Sequence, residues 1–82
     1  MKRNIKKVLI LGLNNVGIKI AKKLSSRVKN LKITKKKITP KEIQKYNPDI
    51  IFSLGYRFII SDEIIKYPKY GCYNIHKSML PL

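Results

Sequence analysis

The sequence predicts an α/β chain with three layers, helices on both faces of a mostly parallel sheet. Three observations carry that expectation. Residues 5–11 end in a solid apolar run that reads as a strand buried on both faces, the largely apolar 49–54 reads as another strand, glycine follows each, and stretches with helical periodicity or capping signals lie between them. Strands alternating with helices imply β-α-β units, whose crossovers are right-handed and whose strands are parallel.

The first strand ends in the unbroken run Val8-Leu9-Ile10-Leu11. Gly12-Leu13-Asn14-Asn15-Val16-Gly17 turns the chain, and Val16, Ile20, Ala21 and Leu24 then recur at helical spacing, with Lys19, Lys22 and Lys23 on the other side. That helix is expected to end near Ser25. Leu31-Lys32-Ile33-Thr34 alternates apolar and polar residues, enough for a short second strand, and Lys35-Lys36-Lys37 follows as a solvated turn. Thr39, Pro40 and Glu42 combine an N-cap, a proline at N1 and a glutamate at N3, so a capping box opens a helix through Tyr46, and Pro48 ends it. Residues 49–54 form the third strand, which Gly55 closes. Ser61 caps a further short helix, with Asp62 and Glu63 at its positive end, Ile64 and Ile65 as core contacts and Pro68 beyond it. Tyr70-Gly71 turns the chain into a fourth strand, Cys72–Ile75, which delivers Asn74 and His76 at its carboxyl end. The fold is Rossmann-like, with an open sheet of about four strands and unpaired edges.

Composition narrows the function classes. A chain of 82 residues buries only about 60–65% of its unfolded surface, so it is one small domain or less. Its single cysteine, Cys72, excludes an internal disulfide, and with one histidine there is no cluster at metal-ligand spacing. No apolar run approaches the roughly 20 residues that span a bilayer. The basic start, Met1 to Lys7, is followed by too short an apolar run for a signal peptide, which predicts a cytoplasmic protein. The formal charge of +15 suggests phosphate neutralisation on nucleic acid. It has a second explanation, because Lys, Ile, Asn and Tyr, the residues of AT-rich codons, make up half the chain. A basic α/β module binding RNA is therefore one reading of the charge.

Ligands of such sheets sit at the carboxyl ends of the strands, where the turn 12–17, the segment 55–60 and the segment 74–81 converge. Gly12-x-x-x-x-Gly17 has part of a dinucleotide fingerprint, but Asn14 stands where the middle glycine admits the pyrophosphate, and Lys35, Lys36 and Lys37 stand near the usual acidic position. A dinucleotide-binding fragment is thus disfavoured, leaving a turn that contacts substrate through Gly12, Asn14 and Asn15 or a plain strand-to-helix turn.

The C-terminal octet is more specific. Asn74-Ile75-His76-Lys77-Ser78-Met79-Leu80-Pro81 has the form N-I-H-x-S-x-L-P and resembles the active-site signature of the folate-dependent formyltransferases, with Lys77 where the usual form has proline. Pro48-Asp49-Ile50-Ile51-Phe52-Ser53 resembles the family's P-D-apolar strand, and Gly55-Tyr56-Arg57-Phe58-Ile59-Ile60-Ser61 its folate-pocket segment. The resemblance implies Asn74 and His76 as catalytic residues and Arg57, Phe58, Ile59 and Ile60 around the pterin. It adds Ser78 to the acceptor side with Gly12, Asn14 and Asn15. Strand alternation sends Asn74 and His76 to one face, where a carboxamide and an imidazole meet one bound group.

By the same resemblance the complete enzyme moves a formyl group from 10-formyltetrahydrofolate to a primary amine, with no metal. The acceptor is methionyl-tRNA, glycinamide ribonucleotide or an amino sugar nucleotide. The turn at Gly12 lacks the forms typical of the tRNA and ribonucleotide enzymes, which slightly favours the amino sugar nucleotide. The family's catalytic aspartate lies well downstream of the histidine, and neither Asp49 nor Asp62 matches it. Residues 1–82 are therefore expected to be the N-terminal part of a catalytic domain, with little turnover alone and with a C-terminal portion or second chain supplying the rest.

Overall fold

The computed structural model describes residues 5–12, 15–75 and 79–82. Eight elements follow in order: β1 (Lys7–Leu11), α1 (Asn15–Ser25), β2 (Asn30–Thr34), α2 (Pro40–Tyr46), β3 (Ile50–Ser53), α3 (Asp62–Lys66), β4 (Cys72–Ile75) and β5 (Met79–Pro81). The sheet order is β2-β1-β3-β4-β5. The first four strands are mutually parallel and β5 returns antiparallel to β4, setting Asn74 opposite Leu80. The sheet is mostly parallel, as expected, and has one strand more than the sequence indicated.

Alternation along β1 divides the core. Leu9 and Leu11 join Ile51 and Cys72 against Ile43 of α2 and Ile64 of α3. Val8 and Ile10 join Ile50 and Leu54 against Ala21 of α1. These are the two outer layers around the sheet, and each fully buried Leu or Ile contributes about 1.5–3 kcal/mol relative to exposure.

The capping box of α2 forms as read. The Glu42 N–H donates to Thr39 Oγ1 and the Thr39 N–H to Glu42 Oε1, both at 3.2 Å. The helix stops one residue before Pro48, at Asn47 in the left-handed region (φ 57°), whose N–H donates to the Ile43 carbonyl at 2.7 Å. Ser61 caps α3, and the Tyr67 hydroxyl at the end of α3 donates to Asn47 Oδ1 at 2.9 Å, joining the two helix ends.

Asp49 fixes the amino end of the sheet. Its Oδ2 accepts the Lys6 and Lys7 N–H groups at 2.8 and 2.9 Å, tying the entry of β3 to the entry of β1. Burial pushes this carboxyl up, but those two N–H groups and the charges of Lys6 and Lys69 outweigh it and hold the group below its ordinary value. Among the described residues no helix is long and apolar enough to cross a membrane.

Candidate functional site

At the carboxyl end, the chain must leave β1 and β3 side by side. Gly12 makes this possible with φ 95°: a Cβ there would overlap the Leu54 carbonyl oxygen. Its N–H donates to the Thr34 carbonyl and the Leu54 N–H to the Leu11 carbonyl, both at 2.8 Å, so the ends of three strands are tied together around this residue. Gly12 is buried, and the tie is its evident task; Asn15 is exposed at the first position of α1, and Asn14 lies outside the described residues.

Beyond this tie lies a cleft of about 340 Å³. Ser53 and Asn74 form its polar floor; they are register partners on β3 and β4, both on the face covered by α2 and α3. Gly55, Tyr56, Phe58 and Ile60 build one wall, Ile65 of α3 another, and Ile75 and Leu82 the remainder. Ser53 is buried and Asn74 half-buried, and the Asn74 carboxamide has no side-chain hydrogen bond among the described residues.

Tyr56 holds the wall in place. Its hydroxyl donates to the Lys36 carbonyl at 2.5 Å and accepts the Ile38 N–H at 2.9 Å, which pins the segment between β2 and α2. Its ring meets Phe58 edge-on, with centroids 5.5 Å apart at 63°. Burial pushes the hydroxyl above its ordinary value, against the lowering effect of the Ile38 N–H, and the Glu42 charge adds to the rise.

Of the residues expected around the pterin, Phe58 and Ile60 line the cleft. Arg57 is exposed and Ile59 is 97% exposed, and neither side chain is part of the lining. Asn74 is on the floor, whereas His76 and Ser78 lie outside the described residues. Sequence reasoning missed Ser53, Tyr56 and Ile65. Ser53 had a usable signal, since it is the polar end of an apolar strand and stands in register with Asn74 on β4. No group of three metal-ligating side chains occurs among the described residues.

The family described as formyl transferase matches residues 7–82, nearly all of this arrangement. The chain belongs to the formyl transferase family. Methionyl-tRNA formyltransferase of Prochlorococcus marinus is 45% identical over 49 residues, 60% of this chain and 14% of that protein. The bifunctional polymyxin resistance protein ArnA of Wigglesworthia glossinidia brevipalpis is 54% identical over 39 residues, 48% of this chain and 6% of that protein. Methionyl-tRNA formyltransferase of Ehrlichia chaffeensis is 39% identical over 62 residues, 76% of this chain and 20% of the relative. The matched stretch is thus a small fraction of each relative's length. Formyl-transfer enzymes are the family's members by these names, and the matches lend no support to an RNA-binding module or a dinucleotide-binding fragment.

Proposed function

We propose that residues 1–82 are the N-terminal, donor-binding part of a formyltransferase catalytic domain, and that the complete domain transfers a formyl group from 10-formyltetrahydrofolate to a primary amine. The observation that carries this reading is the cleft beside Asn74, which has polar groups on its floor and apolar walls, as a flat heterocycle with polar edges requires. Its volume, about 340 Å³, suits the pterin and leaves the rest of the folate outside. When bound, the folate supplies the activated formyl carbon.

Phe58, Ile60 and Ile65 exclude water from the ring and set its plane, while Ser53 and backbone groups of the 55–60 wall offer hydrogen bonds to its edge. The Asn74 carboxamide N–H donates to the oxygen of the formyl group, and that bond strengthens as negative charge develops in the tetrahedral intermediate. His76, two residues on, takes the proton lost by the attacking amine while neutral; once protonated it donates to the oxyanion and then gives that proton to the folate nitrogen as the bond from that nitrogen to the formyl carbon breaks and tetrahydrofolate leaves. The family's aspartate that orients this imidazole comes from a C-terminal portion or a second chain, so the 82-residue chain alone turns over little. The acceptor is a primary amine on methionyl-tRNA or on a small nucleotide such as an amino sugar nucleotide.

Asn74→Ala and His76→Ala, made in the complete domain and assayed with labelled formyl donor, test the assignment. Each is expected to lower turnover by about 100- to 1,000-fold, the loss seen when one oxyanion donor is removed. Unchanged transfer in both would overturn the site.

A further inference from the structure

Among the described residues the sheet ends on one side at β2, which pairs there with β1 alone. The Asn30 N–H donates to the Lys6 carbonyl and the Gly12 N–H to the Thr34 carbonyl, both at 2.8 Å. In a parallel ladder this alternation turns the backbone groups of Asn30, Lys32 and Thr34 toward β1, and those of Leu31 and Ile33 outward. Among the described residues the outward groups have no partner.

The side chains along this edge divide by face. Leu31 packs on the α1 side of the sheet, and Ile33, two residues on and 38% exposed, shares that side. Lys32 points to the other side, its ammonium 5.4 Å from the centre of the Tyr46 ring. Lys29, Lys35, Lys36 and Lys37 stand exposed at the two ends of the strand. The chain has only four acids, and none of the four lies on β2. Asp49 holds the Lys6 and Lys7 N–H groups, Glu42 closes the α2 capping box, and Asp62 and Glu63 occupy the first turn of α3.

We propose that the β2 edge binds an extended acidic segment of a partner protein, which joins the sheet as a parallel or antiparallel neighbour of β2. Its residues alternate: apolar side chains meet Leu31 and Ile33 on one face, and carboxylates meet Lys32 and the flanking lysines on the other and at the ends. A second copy of this chain is the wrong occupant, because pairing β2 with itself would oppose two sets of five lysines, and like charges across a strand pair are destabilising. Lysines on an edge repel unsuitable strands. An acidic strand turns that repulsion into attraction. This inference concerns the side of the sheet away from β4 and stands independently of the formyl-transfer reading.

The probe is a capped hexapeptide of alternating Glu and Val, titrated onto the 82-residue chain, with a Lys and Val alternation as its control. The expected result is saturable binding that weakens as salt is added. Exchange of the Leu31 and Ile33 amides should slow by about tenfold or more while those of Asn30 and Lys32, already bonded, change little. Ile33→Pro removes an outward donor and keeps the inward ladder, since proline is tolerated on an edge with its nitrogen facing solvent. It should abolish the protection. Should that variant fail to fold, Lys32→Glu with Lys35→Glu and Lys36→Glu reads the same point, and preference should switch to the Lys and Val peptide. Absence of binding, or binding that leaves the Leu31 and Ile33 amides unprotected, would overturn the proposal.

Discussion

At the amino end of the sheet Asp49 spends both of its useful hydrogen bonds on the backbone of Lys6 and Lys7, and Tyr46 and Tyr67 likewise donate to groups of their own chain. At the carboxyl end Asn74 sits on the floor of an open cleft, and its carboxamide holds no other described side chain. The same parallel strands support both ends. The difference teaches that the P-D pattern before β3 marks a closed structural clamp, while the register partners Ser53 and Asn74, near the carboxyl ends of β3 and β4, face an open cleft.

The comparison is most easily broken where the carboxyl end is itself structural. Gly12→Ala should destabilise the chain by about 3 kcal/mol or more in urea unfolding, because a Cβ meets the Leu54 backbone and the residue is held at φ 95°. Asp49→Asn comes next, at about 1–3 kcal/mol, for loss of charge-assisted bonds to two N–H groups. Its sign with pH is defined. The folded carboxyl titrates below its ordinary value, so its contribution is full above the unfolded value near 4 and disappears as pH falls through the folded one. Acid titration of stability should therefore be steeper for the parent chain than for the variant.

Tyr56→Phe keeps the cleft wall and removes the two bonds to Lys36 and Ile38, which should cost about 1 kcal/mol in the same unfolding experiment. Burial pushes the Cys72 thiol up to about 11. A disulfide reagent at pH 8 should label it only as fast as the chain opens, and the part of the stability linked to the neutral thiol should fade as pH rises from about 8.5 toward that value. The smallest effect belongs to Ile59→Ser, within about 0.5 kcal/mol, since that side chain is 97% exposed.

Where the chemistry is local, the sequence was legible. The α2 capping box and the Ser61 cap are contacts between residues three apart, and both appear as read. Asn47 also ends α2 locally, yet proline drew attention to the next position. What was hidden depends on partners far along the chain. Gly12 needs its conformation because Leu54 passes against it, and Tyr56 finds its acceptor at Lys36. The three-residue strand β5 exists through antiparallel pairing with β4, which no periodicity announces. At the site, Phe58-Ile59-Ile60 reads as one apolar block, but the path of the chain after β3, outside any strand, sets Phe58 and Ile60 in the cleft lining and Ile59 in solvent.

The central claim, that the carboxyl-end cleft receives the folate, is tested most directly by titrating a stable folate, 5-formyltetrahydrofolate, onto the chain and following backbone amide resonances. The account predicts saturable shifts confined to residues 53–60, Ile65 and Asn74, with Lys6, Lys7 and Asp49 unmoved. Shifts centred on the amino end, or none at saturating folate, would contradict it.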